Sequence, residues 1–397
     1  MTAFSGGSNA VTGTGSEWQL AVTGTWVLGD LYTILLIDSQ TGVTSQFGAG
    51  FVTGIQPVQV MTFNNKVYAI AGSTVYFSGV NQPTVWNDPN GDFNGFVTMT
   101  DYFATTENLV AMAAYQGRLA FFSRFTTQIF VTDPNPINWV QSQVMQNIGT
   151  FATLSVQSMG DLDVLFLSDT GIRSLRVRDQ SLNAFVNDIG SPLDLLVQAN
   201  LMGGTSTSNA AANGIIEPQS GRYWLYLNGI IYVLSFFPSS KITAWATYTP
   251  TYYSTKDGNQ HSFVASQMAV FQGQVYIRAT SDEGDIVLQY AGPTKEQYDA
   301  TVASFSTTWL DLKMPGTNKK AEGLDGALFG GWIVSVGMDP QTGILNPIID
   351  TNTPTFLLGS VPVTGDGFHV KIAASTTGDA KAKVSSLVFH YEKAEEK

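Results

Sequence analysis

The sequence predicts an all-β protein, namely a β-propeller of about six irregular blades followed by a C-terminal β-sandwich-like domain. The first observation behind this prediction is a unit of hairpin plus strand that recurs along the chain. The second is composition: aromatic residues make up 12% of the chain, and glycines number 39 among 397 residues. Third, charged residues, which include good helix formers, make up only 13%. Aromatic and β-branched residues favour strands, and glycine favours tight turns.

The clearest copy of the repeat, at 111–139, reads AMAAYQGRLAFFSRFTTQIFVTDPNPINW. Its apolar runs predict three strands, with a tight turn at Gln116 and Gly117, a polar turn at 125–127 and a Pro/Asn-rich loop at the end. The turn centres of successive copies lie roughly 35 to 70 residues apart, which brackets the ~40–50-residue period of propeller blades. The other copies are at 23–38, 61–86, 158–177, 226–245 and 269–290.

Three segments are predicted: a flexible N-terminal segment at 1–17, a propeller at 18–303 and a C-terminal β domain at 304–397. The first segment is rich in Gly, Ser and Thr, a composition that disfavours a packed core. After residue 303 the strand spacing becomes looser and lysine more frequent, which indicates a boundary.

One helix is expected at 191–201. Ser191 would cap its start, Pro192 would occupy the first turn, and Asp194 would answer the cap. The stretch that follows, at 203–213 (GGTSTSNAAAN), is of low complexity. It is expected to be a loop that either contacts a partner or is solvated.

Composition excludes several classes of function. The chain has no cysteine, which excludes a disulfide scaffold and thiolate chemistry. It offers no run of about 20 uncharged apolar residues, so no membrane insertion is expected, and residues 1–10 lack the basic and apolar blocks of a signal peptide. The net charge of −12 disfavours binding to DNA phosphates but suits a wall that DNA slides past. The low charge fits a subunit packed into an assembly and an ordinary extracellular β protein about equally.

None of the three histidines, His261, His369 and His390, is paired at metal-ligand spacing or heads a recognisable triad. His261 is expected in a loop and the other two in strands of the C-terminal domain. A surface histidine or one satisfied within a strand explains each of them better than catalysis does.

The carboxylate pairs Asp161/Asp163 and Glu283/Asp285 have the residue types that a glycosidase needs. Both pairs fall in tight turns, where such residues bond to the local backbone, so the turn interpretation is favoured. The glycine-rich turn at 48–50 does not continue into a phosphate-binding loop. We therefore expect no catalytic residue, no cofactor and no metal.

The loop DPNGDFNG at 88–95 alternates oxygen-bearing residues as calcium loops do, with Asp88, Asn90 and Asp92 in the pattern. Phe93 stands where such a loop needs glycine, and Met99 where it needs a bidentate glutamate. A surface turn is the favoured interpretation, and ion binding stays an alternative.

The only concentration of basic residues is formed by five arginines. Arg176 and Arg178 alternate along one predicted strand and therefore share a face. The group could present a stripe to DNA or to a partner, or it could pair with Asp161, Asp163 and Asp179, which is the favoured interpretation. Its members are Arg118, Arg124, Arg173, Arg176 and Arg178.

Three stretches resemble the propeller-containing tail nozzle, or tubular tail, proteins of short-tailed bacteriophages. The first is 67–86 (VYAIAGSTVYFSGVNQPTVW), a strand pair that leads into an Asn-x-Pro-x-x-Trp element. The second is 109–130 (LVAMAAYQGRLAFFSRFTTQIF), in which an apolar–Gln–Gly–Arg–Leu–apolar hairpin is followed by Ser-Arg and a strand. The third is TWLD at 308–311 together with Lys319 and Lys320. The resemblance covers about 60–339 and includes no catalytic motif.

This resemblance implies a structural subunit of the virion tail with no enzymatic activity. In that family the subunits form a ring, usually a homohexamer, whose lumen is the exit channel for genomic DNA. The implied partners are further copies of the chain, the head-to-tail adaptor below the portal, other tail proteins such as fibres, and DNA that passes without sequence-specific binding.

Two alternatives stay open at this point. A carbohydrate-binding or glycan-degrading tail-associated propeller would need aromatic platforms, which Trp86 and Trp139 could supply, and a carboxylate pair. A generic scaffold propeller from a cellular protein is the other alternative, although no WD or kelch signature recurs.

Overall fold

The computed structural model describes residues 35–37, 44–46, 55–83, 85–86, 93–99, 107–160, 163–178, 183–187, 189–237, 242–254, 256–292, 302–351, 360–377 and 382–394. Within these ranges the chain is nearly all β, which confirms the predicted fold class. The segment predicted to be flexible, 1–17, lies outside the described residues. No helix in the described part of the chain has the length and apolar character needed to cross a bilayer.

The strands of the first half of the chain are short and follow one another closely. They are β1 (Leu35–Ile37), β2 (Thr44–Gln46), β3 (Gln59–Phe63), β4 (Lys66–Ala71), β5 (Thr74–Phe77), β6 (Gly95–Thr98), β7 (Leu109–Tyr115), β8 (Arg118–Ser123), β9 (Thr126–Val131), β10 (Val140–Gln146), β11 (Gln157–Met159), β12 (Asp163–Ser168), β13 (Gly171–Arg178) and β14 (Asn183–Asn187).

Two helices, α1 (Asp194–Gly203) and α2 (Ser206–Ala210), separate these strands from the rest. The remaining strands are β15 (Asn213–Glu217), β16 (Arg222–Leu227), β17 (Ile230–Phe237), β18 (Ile242–Tyr248), β19 (Thr251–Tyr253), β20 (Gln260–Ser262), β21 (Val264–Phe271), β22 (Gln274–Ser281), β23 (Gly284–Gln289), β24 (Ser304–Ser306), β25 (Lys319–Phe329), β26 (Trp332–Gly337), β27 (Asn346–Thr351), β28 (Ser360–Pro362), β29 (Asp366–Gly367), β30 (Lys371–Thr376) and β31 (Lys383–Lys393). Single 3-10 turns occur at Pro136–Asn138, Thr153–Ser155 and Ser191–Leu193.

The chain divides into two compact units. The first comprises Met1–Tyr248 and Val264–Leu288, and the second comprises Thr249–Phe263 and Gln289–Lys397. The second unit thus includes the β19–β20 hairpin, which the sequence pattern assigns to the propeller. The division into domains at 1–17, 18–303 and 304–397 stays a prediction, because compactness does not test which segments fold independently.

The first unit is built from antiparallel sheets in which each strand pairs with the next one along the chain. The four-stranded sheets are β3–β6, β7–β10, β11–β14 and β15–β18, and a three-stranded sheet, β21–β23, follows. These meanders are the blades that the repeat predicts. The described residues contain these five blades and the β1–β2 hairpin, so the total of about six stays a prediction.

Two-residue turns close several of these hairpins. Gln116 and Gly117 have φ angles of 51° and 67°, and Asn64 and Asn65 have φ angles of 45° and 61°. Positive φ at both central residues defines the type I′ turn, whose twist matches that of the flanking strands. The structure confirms the turn at Gln116 and Gly117 that the sequence predicts.

Consecutive blades pack face to face through apolar side chains. The cluster between the first two blades contains Tyr68 and Phe77 from one and Phe121 and Phe130 from the next, all at most 1% exposed. Trp139 fills the same cluster, with its ring centroid 5.2 Å from that of Phe77. Each such side chain stabilises the packing by about 1.5–3 kcal/mol relative to an exposed one.

The first strands of consecutive blades contact one another: β3 with β7, β7 with β11, β11 with β15, and β15 with β21. Side chains bond across these junctions to the backbone of the neighbouring blade. The Gln59 amide accepts from the Met112 N–H at 2.6 Å and donates to the Met112 carbonyl at 3.1 Å. Ser158 donates to the Ala114 carbonyl at 2.9 Å. The first strands therefore form a continuous frame, as the inner strands of a propeller do.

The second unit contains two sheets packed face to face, which confirms the predicted sandwich-like arrangement. One sheet has the order β24-β30-β26-β27, and in the other β25 pairs with β28, β29 and β31. Leu324 and Leu328 of β25 and Val334 of β26 are fully buried between the sheets. Lys319 is buried at the margin of this core, where its ammonium donates to three backbone carbonyls, those of Met314, Thr317 and Phe368, at 2.8–2.9 Å.

The helix expected at 191–201 is present as α1, but the expected capping role of Ser191 is wrong. Ser191 opens a 3-10 turn and makes no capping bond, and α1 begins only at Asp194. The expected loop at 203–213 is wrong in part because it contains α2. There Thr205 accepts from the Ser208 N–H and the Ser208 hydroxyl accepts from the Thr205 N–H. A serine at this position replaces the Glu or Gln of the usual capping box, which explains why the pattern conceals the helix.

Candidate functional site

Helix α1 turns one face into the core and another face to solvent. Val197 is fully buried beside Leu225 and Leu227 of the next blade. On the opposite side Leu195 is 86% exposed and Met202 is 85% exposed. We call the exposed surface of Leu195, Leu196, Ala199 and Met202 the α1 face. Leu195, Ala199 and Met202 lie four and three residues apart, which places them on one side of the helix, and Leu196 adjoins them.

A bidentate ion pair fixes the start of this helix. Arg173 of β13 donates through both terminal nitrogens to Asp194, at 2.8 Å and 3.0 Å. The two side chains are only 12% and 20% exposed. Gly171, with φ of +130°, lies against the Asp194 carboxylate, and a Cβ at that position would collide with it. Asp194, which the sequence assigns to capping, thus anchors α1 to the neighbouring strand.

Asparagines fix the other end of α1. The Asn200 amide donates to the Leu227 carbonyl and to the Tyr232 hydroxyl, both at 3.0 Å. Asn209 of α2 donates to the Leu201 carbonyl at 2.9 Å, and its own side-chain oxygen accepts from Asn228 at 2.7 Å. The helix is therefore held at both ends by polar bonds, while its outward side chains make no part of the core.

The α1 face carries no charge of its own. The helix sequence is DLLVQANLMG, in which Asp194 is the only ionisable residue, and Asp194 is paired with Arg173. The chain as a whole has a net charge of −12. An uncharged apolar surface on an acidic chain is a place where two copies can meet without bringing negative charges together.

The histidines do not assemble into a catalytic or metal site among themselves. His261 lies in the short strand β20, not in a loop as expected, and its Nε2 is 3.0 Å from Asp257. His390 lies in β31, as expected, with its Nε2 2.8 Å from Asp325 of β25. His369 is exposed and lies between β29 and β30, so its expected strand position is wrong. The strand β29 ends at Gly367 and β30 begins at Lys371, so His369 falls in the connection between them.

Two of the arginines are paired, but with aspartates other than the expected ones. Arg173 pairs with Asp194, and Arg124 pairs with Asp169 at 3.0 Å. Arg118 donates to the Ser142 hydroxyl at 2.8 Å. The partners differ because they come from helix and turn residues that the strand pattern does not bring into register. Arg176 and Arg178 lie within β13, and Asp161 and Asp179 lie outside the described residues.

The remaining candidates occupy structural positions or fall outside the described chain. Asp163 is the first residue of β12. Glu283 lies in the β22–β23 turn, as expected. Asp285 is the second residue of β23 and accepts from the Thr280 hydroxyl at 2.9 Å. The expected turn position is therefore wrong for Asp163 and Asp285, because β12 and β23 have already begun at these residues. The loop that contains Asp88, Asn90 and Asp92 and the turn at 48–50 lie outside the described residues.

The two tryptophans considered as sugar platforms are buried. Trp86 is 3% exposed and Trp139 is 5% exposed. The Trp139 indole N–H donates to the Asp133 carbonyl at 2.9 Å, and its ring packs against Tyr68 and Phe77. Neither ring presents a face on which a saccharide could stack, so this expectation of the carbohydrate alternative is wrong.

No protein-family model matches the chain, and no curated protein matches it. Similar solved structures include PorZ, a surface component of the type-IX secretion system of Porphyromonas gingivalis, at 14% identity and a TM-score of 0.36, over 64% of this chain and 28% of PorZ. The chain thus spans less than a third of PorZ. A putative 6-phosphogluconolactonase from Bacteroides uniformis matches at 13% identity and a TM-score of 0.35, over 64% of this chain and 77% of that protein.

An exo-β-1,3-galactanase from Phanerochaete chrysosporium matches at 11% identity and a TM-score of 0.30, over 88% of this chain and 97% of the galactanase. Two of these three similar structures are enzymes by name. At such identities and TM-scores the similarities carry no inference about the activity, partners or family of this chain.

Proposed function

We propose that this chain is a structural subunit of a phage tail nozzle. Copies of it form a ring that docks below the adaptor and portal and surrounds a channel, or gate, through which genomic DNA leaves. The protein performs no bond-making chemistry. The observation that carries the proposal is the α1 face, an apolar and uncharged surface fixed to a hydrogen-bonded frame of blades.

The frame suits a mechanical role. Tyr223 donates to the Ser155 carbonyl at 2.9 Å, and Asn213 donates to the Ser266 carbonyl at 3.2 Å, in addition to the Gln59–Met112 and Ser158–Ala114 bonds. Together they join all five described blades in series. A subunit whose sheets are tied in this way transmits load without changing shape, because packed interiors have low compressibility.

The α1 face supplies a subunit contact. A ring of more than two copies needs a heterologous contact, in which one surface of a subunit meets a different surface of the next. Interface cores are enriched in methionine and depleted in charge, and the α1 face has Met202 together with Leu195 and no charge. The occupant of this surface is therefore another copy of the chain.

The acidic character of the chain fits the passage of DNA. A net charge of −12 gives no excess of cations with which to release the counterions of DNA, so duplex DNA passes without being retained. The resemblance at 67–86, 109–130 and 308–311 to tail nozzle proteins points to the same role. The glycan-degrading alternative is less well supported, since Trp86 and Trp139 are buried.

The first experiment measures the mass of the purified full-length chain in solution, alone and with the head-to-tail adaptor. We expect wild type to form closed rings. Leu195→Asp should dissociate them, because the charge would be buried without a partner. Ile137→Asp is the matched control, since Ile137 is 87% exposed and Leu195 is 86% exposed.

Rings that persist in Leu195→Asp would contradict the assignment of the α1 face. A wild-type chain that stays monomeric with and without adaptor would contradict the proposed function itself. Equal dissociation by Ile137→Asp would show that the effect is not specific to α1.

A further inference from the structure

The outer face of one sheet of the sandwich carries a groove with an unusual lining. The groove encloses about 520 Å³, which falls within the ~300–1,000 Å³ range of small-molecule sites. Four of its ten described lining residues are serines, Lys371 is the only ionisable residue among the ten, and Phe305 also lines the groove. The serines are Ser304, Ser306, Ser335 and Ser375.

Strand register explains the shape of the groove. Ala373 of β30 pairs with Ser306 of β24 on one side and with Ser335 of β26 on the other. Directly paired residues share a face of an antiparallel sheet, so these three small side chains form one row. Ser304 and Ser375 pair in the next row. Rows of small residues on three neighbouring strands leave a trough where larger side chains would fill the face.

One end of the trough is closed by larger side chains. Leu345 and Trp309 lie so close to Gly337 that a Cβ there would come within 2.7 Å and 3.0 Å of them, respectively. The Lys371 ammonium lies 6.0 Å from the centre of the Trp309 ring. The positive charge of Lys371 therefore lies beside the Trp309 ring at this end of the trough.

The polar side-chain groups of the groove have no hydrogen-bonding or carboxylate partner among the described residues. Within the described part of the chain, none of the four serine hydroxyls donates to or accepts from another protein group, and Lys371 has no carboxylate partner. Each hydroxyl can donate one hydrogen bond and accept two, and Lys371 can donate three. Phe305 is 42% exposed and offers an apolar ring at the margin.

We propose that this groove binds an acidic saccharide. Sugar hydroxyls both donate and accept, as the serines do, and the carboxylate of the sugar would make a charge-assisted bond with Lys371. A protein partner suits the lining less well, because serine, alanine and lysine are depleted in protein interfaces relative to the rest of the surface. The inference rests on the second unit and stands independently of the proposed ring.

An acidic residue, Asp350, lies in the strand row of Ser375 and bears on the orientation of the ligand. Asp350 is paired with Ile333 in the row of Ser375. Lys371 is four residues from Ser375 along β30, which corresponds to about 13 Å in a strand. The carboxylate of the saccharide would therefore lie at the Lys371 end, away from Asp350.

The test uses the purified full-length chain on an array of defined oligosaccharides, in which each sialylated or uronate-containing glycan is paired with a neutral counterpart that lacks the acidic residue. We expect binding to acidic members, with affinities at least about tenfold above those of their neutral counterparts, the size of one charge-assisted bond. Titration calorimetry with the best-bound glycan then compares variants. Lys371→Met should remove the preference for acidic members, and Ser335→Trp, which fills the groove, should remove all binding.

Matched controls come from the other sheet, where Lys383 and Ser386 of β31 occupy exposed strand positions. Lys383→Met and Ser386→Trp should bind as wild type does. No binding to any glycan at millimolar concentration would overturn the proposal, as would equal binding of acidic and neutral members. A Ser335→Trp variant that loses assembly would also overturn it, because the face would then be a subunit contact.

Discussion

The α1 face and the sandwich groove are both uncovered, but opposite kinds of side chain form them. The α1 face presents Leu195 and Met202, each more than four-fifths exposed, on a helix whose one ionisable residue, Asp194, is paired with Arg173. The groove presents hydroxyls and one ammonium over a floor of small residues. An apolar convex face is covered favourably only by another apolar surface, whereas a hydroxyl-lined trough needs a ligand that replaces its lost water bonds. One chain thus presents two surfaces with opposite chemical requirements, and a different partner is proposed for each.

The two surfaces also differ in what holds them in shape. The α1 face depends on polar side-chain bonds, chiefly the Arg173–Asp194 pair and the Asn200 amide. The groove depends on the backbone register of β24, β30 and β26. Conditions that disturb buried side chains should therefore abolish the first surface before the second.

Alkaline pH should produce the largest difference between the units. Burial raises the pKa of Tyr68 and of Tyr115 to about 12, and it raises the pKa of the fully buried Tyr223 as well. All three lie in the first unit. Their neutral forms stabilise the fold fully below about pH 10, the ordinary tyrosine pKa, and this stability is lost as pH rises towards 12.

Tyrosinate absorbance and urea unfolding, both followed between pH 9 and pH 12, check this expectation. Tyrosinate should appear late and together with unfolding of the first unit. Titration of these tyrosines at the ordinary value with the fold intact would contradict it.

At lower pH, Lys66 should change the stability of the fold in the opposite direction to the tyrosines. Burial lowers its pKa to about 8, against the opposing effect of Asp133. The unfolded chain then binds more protons than the folded one above pH 8, so the contribution of Lys66 to stability rises with pH from 8 towards 10. Urea unfolding across that range should show a rising free energy of unfolding in wild type and a flatter one in Lys66→Met. Parallel curves would contradict the shift.

The next largest effect is expected for Asp194→Asn, which leaves the largely buried Arg173 side chain without its anion. We expect a loss of about 3 kcal/mol in the free energy of unfolding, because removing one partner of a buried pair strands the other. Asp169→Asn is the control, since the Arg124–Asp169 side chains are 56% and 35% exposed and such a pair contributes at most about 1 kcal/mol. Equal losses in the two variants, measured by urea unfolding, would contradict the anchoring role.

A smaller effect is expected for Gln59→Leu, which removes both bonds between the Gln59 amide and Met112. Leaving these backbone groups without partners should cost about 2 kcal/mol. Gln157→Leu is the control on another first strand, because its amide makes only a 3.5 Å bond to Leu154. If thermal unfolding shifts equally in both, the blade junctions are not stabilised by such bonds.

The fold could be predicted from the sequence where one local signal decides the structure. The turn at Gln116 and Gly117 and the strands beside it follow from residues within ten positions of each other. The buried roles of Trp86 and Trp139 could not be predicted, because burial depends on which blade packs over them. The ion-pair partners of Arg124 and Arg173 could not be predicted for the same reason. Asp169 and Asp194 come close to these arginines only in the folded sheet and helix.

The groove escaped prediction for a different reason. Ser306, Ser335 and Ala373 lie far apart in sequence, and each is unremarkable alone. Only the strand order β24-β30-β26 aligns them in one row. A sequence pattern cannot show which residues lie side by side across a sheet when neighbouring strands are not consecutive in the chain.

Electron microscopy of the purified full-length chain with its adaptor would show directly whether subunits of a ring meet through the α1 face. We expect closed rings with a bore wide enough for a DNA duplex and with α1 of each copy at the contact with the next. Particles that are single subunits, or rings in which Leu195 and Met202 face solvent, would contradict this expectation.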